Sequence, residues 1–305
     1  MRILFISHAE FTLHDPGPLH PECPRRMHAI NDELIASRLS DVMDFMEAIP
    51  ATREQLEAVH TGKYIDAIEA LNPSSGVVKI DGDTIMSPGT WNAAVLAAGA
   101  VVLGVDQSLS GEHPRVFCSV RPPGHHAEHE RGMGFCFLNN VAVGAAHALD
   151  QHGLERIAIL DFDVHHGNGT EDIFSDDTRV LYCSTFQYPL FPFTGIEFVA
   201  PNVINSPLPA GLDGEGYRKV VAEEWLPRLD EFKPQLVLVS AGFDAHEHDD
   251  LGGLRLHTED FDWIAERIVE VAEKHSEGRI VSVLEGGYNL PVLGRSVATY
   301  LRALM

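Results

Sequence analysis

The sequence predicts an α/β fold: one domain, residues 1–305, built on a mostly parallel central β-sheet with helices on both faces. Three observations lead there. Short apolar runs rich in β-branched residues recur at Arg2–Ile6, Arg115–Val120, Ile157–Asp163, Val180–Thr185, Leu236–Ala241 and Ile280–Leu284, the pattern of strands buried on both faces. Amphipathic segments alternate with them, at Pro88–Asp106, Asn139–His152, Gly214–Phe232 and Thr258–His275, and such alternation produces parallel sheets. Acidic, histidine and glycine residues gather directly after the apolar runs, where open α/β sheets bind ligands, outside the carboxyl ends of the strands.

Composition narrows the class. The 305 residues are 45% hydrophobic and 22% charged, with no shift in composition or internal period that would mark a linker or repeat array. A formal charge of −23 argues against a sequence-independent nucleic-acid binder and would attract cationic substrates. The start, MRILFISHAEF, lacks the charged and long apolar regions of a signal peptide, and no stretch approaches 18 consecutive apolar residues. Neither secretion nor membrane insertion is expected. Cys23, Cys118, Cys136 and Cys183 are widely spaced without a C-x-x-C pair, so a reducing cytoplasm is expected rather than a disulfide framework.

In chain order, the Pro- and His-rich stretch His14 to Arg26 is expected to be irregular and to form a rim over the site. Asp81, Gly82 and Asp83 make a polar turn before a helix beginning near Ser87-Pro88. Pro227 is expected to kink or end the helix it occupies. RPPGHHAEHERGMGF, DFDVHHGNG, GFDAHEHDD and EGGYN each follow a strand-like run, so four strand ends are expected to converge on one site.

The chemistry sits in those four segments. In RIAILDFDVHHGNGT, Asp161, Asp163 and His165 are spaced two apart at the end of a buried run. Unpaired charge there is costly, which calls for a cation. Asp163, His165 and Asp244 are the candidate metal ligands; three mixed oxygen and nitrogen ligands leave a position open for water. Asp161, deeper in the run, is either a fourth ligand or a carboxylate that orients a histidine, and its depth favours the second. Of the tandem His125 and His126, one is a candidate general base and acid, and the other a charge holder polarised by Asp161. Tyr288, after two glycines, can swing its phenol toward an oxyanion. Gly134-Phe135 and Phe191-Pro192 offer walls for a narrow apolar channel. Together these parts suit hydrolysis of an amide or ester at the end of a slim acyl-bearing chain.

RPPGHHAE, MGFCFLNN, LDFDVHHGNGT, SAGFD and EGGYN, in this order, resemble the zinc-dependent histone deacetylase family of the arginase–deacetylase fold. The resemblance implies one zinc on Asp163, His165 and Asp244, His126 as general base and acid, His125 as its electrostatic partner, and Tyr288 on the oxyanion. It implies channel walls at Phe135 and Phe191, with Gly134, Asp83 and Leu251 also lining the channel. It implies structural potassium near Asp161, Asp163, His165, Ser184 and Thr185, and a second monovalent site at Phe174, Asp177 and Val180. Asn168 and Glu285 resemble class II members. Leu251 stands where polyamine-specific relatives are expected to carry an acidic residue, which favours acyl-lysine, whereas His-Pro-Glu-Cys at 20–23 is similar to a loop that constricts the polyamine enzymes. The expected partner is thus an acetylated lysine or a small acylated amine, with no nucleic acid or membrane; the oligomeric state stays open.

Two other readings make different predictions. An arginase-like binuclear manganese hydrolase needs further carboxylates, and Gly167 offers none. A non-catalytic acyl-amine binding protein would hold its ligand without turnover.

Overall fold

The computed structural model describes residues 2–197 and 200–305. Its strands are β1 (Leu4–Ser7), β2 (Asp44–Glu47), the short antiparallel pair β3 (Val78–Lys79) and β4 (Ile85–Met86), β5 (Arg115–Cys118), β6 (Ile157–Asp161), β7 (Val180–Gln187), β8 (Val203–Leu208), β9 (Leu236–Ala241) and β10 (Ile280–Leu284). Eight of them form one sheet in the order β2-β1-β5-β10-β9-β6-β7-β8, and every ladder in it is parallel. β5, β10, β9 and β6 are consecutive neighbours. The four segments that carry chemistry therefore leave adjacent strands at one edge.

The helices are α1 (Arg25–Ala36), α2 (Arg53–Glu57), α3 (Gly62–Leu71), α4 (Thr90–Ser110), α5 (Asn140–Asp150), α6 (Asn168–Phe174), α7 (Gly214–Val220), α8 (Leu226–Phe232), α9 (Thr258–His275) and α10 (Leu290–Ala303). Alternate side chains of a strand point to opposite faces, and the sheet uses both. Val116, Cys118 and Val281 pack under Gly104 of α4. Phe117 and Ser282, one residue out of phase, meet Tyr300 of α10 through a ring contact and a 2.8 Å hydrogen bond. Helix α4 is apolar almost all round and, by length and composition alone, would pass for a membrane span, but 67% of its most apolar stretch is buried in the domain. That is the position of a core helix.

Several boundaries depart from expectation. The run read as Ile157–Asp163 stops at Asp161: Phe162 N still donates to Ser240 O of β9 at 3.2 Å, but the Asp163 amide turns back to Asp161 Oδ1 at 3.2 Å. Asp163 and His165 therefore lie beyond the strand, not on one of its faces. The segment Gly214–Phe232 is continuous but passes through one π-helical stretch, Val221–Trp225, before α8. Pro227 falls in the first turn of α8, where its missing N–H is tolerated. Edge strands β2 and β8 give no strand signal in the sequence, since their half-exposed residues show no continuous apolar run. Helix α1 begins inside the stretch expected to be irregular.

His60 ties the loop before α3 to the segments around the site. Its Nδ1 lies 3.0 Å from Glu128 O, and its Nε2 accepts from Asn139 N at 2.9 Å. Burial lowers its pKa to about 4, so the fold requires the neutral ring. Between that value and the unfolded value near 6.5 the unfolded chain binds the extra proton, and stability falls as pH drops through this window. The stability difference between wild type and His60→Gln, measured by urea unfolding, should shrink by roughly 3 kcal/mol from pH 7 to pH 4.

Candidate active site

Asp163 and His165 come from the turn after β6, and Asp244 from the turn after β9. Their candidate ligating atoms all lie within 4.8 Å of one another. Asp163 Oδ1 faces His165 Nδ1 at 3.0 Å, and Asp163 Oδ2 accepts from Gly286 N at 2.8 Å. Asp244 Oδ1 accepts from Val164 N at 2.9 Å. Asp244 Oδ2 is buried and has no hydrogen-bond donor among the described residues, since the nearby His165 Nδ1, at 3.2 Å, is directed to Asp163. Burial, with the charge of Asp163 behind it, pushes the Asp244 carboxyl up to about 7. Against burial, His125 and His165 hold Asp163 well below the usual carboxylate range. An orphaned buried carboxylate oxygen beside a second carboxylate and an imidazole is what a bound cation would satisfy. Gly286 makes this closeness possible: a Cβ there would lie 2.0 Å from Asp244 Oδ2.

The two histidines after β5 have opposite electrostatics. His125 Nδ1 lies 3.0 Å from Asp161 Oδ2, which also accepts from the Tyr182 hydroxyl at 2.9 Å. Burial opposes charge on His125, but Asp161 and Asp163 outweigh it and raise its pKa to about 10. His126 is pushed well below its ordinary value by burial and by the positive charge of His125 and His165. Its Nδ1 lies 2.8 Å from Asn168 Oδ1, while Asn168 Nδ2 donates to Glu128 Oε1 at 2.7 Å. Glu128 thus fixes the amide orientation, the amide oxygen takes the Nδ1 proton, and Nε2 of the neutral ring is left as the basic nitrogen.

Tyr288 is placed by a fully buried ion network. Arg26 donates through Nε to Gly287 O at 2.7 Å and through Nη2 to Glu285 O at 2.5 Å, and its guanidinium lies 5.0 Å from the Tyr288 ring centre. Asp249 Oδ2 accepts from Tyr288 N at 2.6 Å. Arg26 is tied in turn to Glu22 at 3.2 Å, and Arg121 binds both Glu22 oxygens, at 2.5 and 2.6 Å. These charges, with His14 Nε2 at 3.1 Å, hold the Glu22 carboxyl well below its ordinary value despite complete burial. The stretch expected to be a rim is therefore anchored deep in the protein at His14, Glu22 and Arg26, and only part of it reaches the mouth. There the His20 ring meets Phe135 at 4.7 Å, and its Nε2 lies 3.0 Å from Asp83 O.

A cavity of about 230 Å³ is lined by Asp83, His126, Gly134, Phe135, His165, Leu190, Phe191, Leu251 and Tyr288. The five residues expected in the channel all line it; Leu190 is an addition. The ring centres of Phe135 and Tyr288 are 5.8 Å apart and those of Phe191 and His126 are 5.1 Å apart, so aromatic walls lead directly to the polar end.

Residues 20–304 match the family model described as histone deacetylase domain. The chain belongs to the histone deacetylase family. It is 40% identical to a probable deacetylase of Archaeoglobus fulgidus over 93% of this chain and 81% of the relative. It is 36% identical to a histone deacetylase-like amidohydrolase of Pseudomonas aeruginosa over 91% and 76% of the two chains. Its fold matches the crystal structure of the HDA15 HD domain with a TM-score of 0.93 at 29% identity, covering 99% of this chain and 88% of that one. The activity class of this histone deacetylase-family member is deacetylase, a hydrolase.

Other expected residues divide. Ser184 and Thr185 are buried on β7, with Ser184 in register with Asp161, and the Ser184 hydroxyl oxygen has no hydrogen-bond partner of ordinary geometry among the described residues. The second monovalent site was expected at Phe174, Asp177 and Val180. The carbonyls of Phe174, Asp177 and Val180 do converge, but on the Asn202 side-chain nitrogen. Gly167 has room for no side chain, because a Cβ would lie 2.3 Å from both Asp161 Oδ2 and the Tyr182 hydroxyl; a second metal ligand at that position is sterically barred. His166, for which the sequence suggests no role, spans Thr194 Oγ1 at 2.8 Å and Glu171 Oε2 at 2.9 Å.

Glu22, Arg26 and Glu128 do not stand out as functional residues in the sequence, because a sequence does not show which loop charges are buried. Among the described residues a second candidate group, Asp106, His147 and His152, lies toward the ends of α4 and α5. Its shared carboxylate oxygen is already bonded to both rings at 2.7 Å, so that oxygen calls for no ion; the one buried atom of the group without a partner among the described residues is His147 Nδ1.

Two outcomes follow from this geometry. Glu22→Ala strands two buried guanidinium groups and should cost about 3–5 kcal/mol in chemical denaturation. Glu128→Ala should leave the fold intact but free the Asn168 amide to flip, lowering kcat about tenfold; Glu128→Gln, which can still accept from Nδ2, should restore most of it.

Proposed function

We propose that the protein is a zinc-dependent deacetylase that removes an acetyl or similar short acyl group from a primary amine, with acyl-lysine in a protein or peptide as the substrate class. The observation that carries this reading is the convergence of His126, His165 and Tyr288 at one end of an aromatic-walled cavity of about 230 Å³, beside the unpartnered Asp244 oxygen.

Zinc on Asp163, His165 and Asp244 would supply a Lewis acid and an activated water. His126 Nε2, on a ring kept neutral by burial and by the protonated His125 beside it, takes a proton from the attacking water and returns it to the leaving amine. His125, charged through Asp161, holds its proton and contributes positive potential. The Tyr288 hydroxyl, kept un-ionised by burial, donates to the developing oxyanion. Arg26 holds both carbonyls flanking Gly286 and Gly287 and backs the phenol ring. Phe135 and Phe191 enclose the slender acyl-amine stem, and Asp83 offers a carboxylate at the mouth. A potassium ion beside Asp161, Ser184 and Thr185 suits the unpartnered Ser184 hydroxyl. Four free, buried cysteines suit a reducing cytoplasm.

One observation favours a second reading, an acetylpolyamine or other small acylated amine as substrate: His20 packs edge-on against Phe135, one of the cavity's aromatic walls. Leu251 opposes it, since an apolar residue in the cavity wall gives a second ammonium group no partner. The two separate in a kcat/KM panel of acetyl-lysine peptides, N-acetylputrescine and N-acetylspermidine. Acetyl-lysine peptides should lead by at least ~10-fold, and His126→Ala and Tyr288→Phe should each lower kcat by ~100-fold or more. Chelation should abolish turnover and zinc should restore it. Acetylpolyamines leading the panel would overturn the substrate assignment; full activity of the metal-free protein would overturn the zinc chemistry.

A further inference from the structure

The turn between α6 and β7 aims three main-chain carbonyls at one point. Phe174 O closes α6, Asp177 O lies in the turn, and Val180 O opens β7. The same carbonyls were expected to hold a second monovalent cation. The Asn202 side chain, from the residue before β8, fills that point: Nδ2 lies 2.8 Å from Phe174 O, 3.1 Å from Asp177 O and 3.0 Å from Val180 O. Two N–H bonds thus serve three carbonyls, one of them shared.

Three features make this a settled arrangement. Asn202 is buried, and its own carbonyl accepts from Tyr182 N at 2.9 Å, so the β7–β8 pairing fixes its backbone. Its Oδ1 is buried without a partner among the described residues. That orphan is the cost of pointing the nitrogen inward; the reversed amide would set four oxygens against one another, a worse arrangement in the absence of a cation. The one formal charge on the turn's carbonyl-bearing residues is also committed elsewhere. The Asp177 carboxylate is engaged by Arg179 at 2.6 Å, and that ion pair keeps it below the usual carboxylate range. None of the three residues that supply the carbonyls therefore brings a free carboxylate to compensate an ion.

We infer that the Asn202 amide replaces the second monovalent cation, so that a neutral internal donor holds the α6–β7 corner and potassium does not bind there. The inference is independent of the reaction proposed above and of the potassium proposed beside Ser184. Asn202 thereby cross-links the end of α6 and the start of β7 to the strand beyond them, whatever the salt composition of the medium.

Thallous ion, a potassium substitute with a strong anomalous signal, provides the test. Crystals of the full-length zinc-loaded protein soaked in thallium acetate should show no thallium among the Phe174, Asp177 and Val180 carbonyls. Asn202→Ala, which removes the amide and leaves the carbonyls, should acquire thallium there, and its thermal midpoint should rise with potassium at this vacated corner more than the wild type's does. Thallium bound at this point in the wild type, with Asn202 Oδ1 turned toward it, would overturn the inference. A folded Asn202→Ala protein that takes up no ion at the corner would overturn it too, since the amide would then replace nothing. If the variant does not fold, the wild-type crystal still decides.

Discussion

Four carboxylates, those of Asp161, Asp163, Asp244 and Glu285, are buried to within 1% of complete exclusion at the ends of three neighbouring strands. Concentrated negative charge in the interior is the condition that everything nearby answers. Asp161 is met by His125 and Tyr182, and Glu285 by the amides of Gly124 and His125 and the hydroxyl of Ser240. Asp163 is met by His165 and Gly286, but one Asp244 oxygen has no hydrogen bond among the described residues, its nearest ring nitrogen, His165 Nδ1 at 3.2 Å, being directed to Asp163. A protein does not ordinarily leave such an atom bare. The simplest resolution is a cation held by Asp163, His165 and Asp244.

The same charge sets the division of labour between the histidines. His125 stands against Asp161 and stays protonated; burial first, and then that neighbouring positive charge, push His126 toward neutrality. Glu128, through Asn168, then decides which nitrogen of His126 carries the hydrogen. Tyr288 depends on a separate ion network that joins Glu22 and Arg26 to Arg121, from two distant parts of the chain. In such a network each charge is worth keeping only while its partners remain.

Much of this is legible in the sequence. β9, β10 and α9 have the bounds that the sequence predicts, because continuous β-branched runs and strong amphipathic periodicity are local signals. Asp163, His165, Asp244, His125, His126 and Tyr288 stand out because strand ends in a parallel sheet are where ligating and titrating residues converge. What stays hidden depends on distant contacts. Glu22 is in plain view within HPEC, but only the fold shows it encased between two arginines. Asn202 looks like an ordinary polar residue before a strand, and nothing local tells that its amide reaches the carbonyls of another turn. Edge strands β2 and β8 give no signal, since one-sided burial mixes polar and apolar residues.

Metal stoichiometry tests the central claim most directly. Elemental analysis of the purified protein, equilibrated with zinc and freed of excess, should give one zinc per chain. Asp244→Ala, folded by circular dichroism, should give close to none. Two bound metals per chain, or undiminished zinc in the folded Asp244→Ala protein, would contradict a single cation held by Asp163, His165 and Asp244.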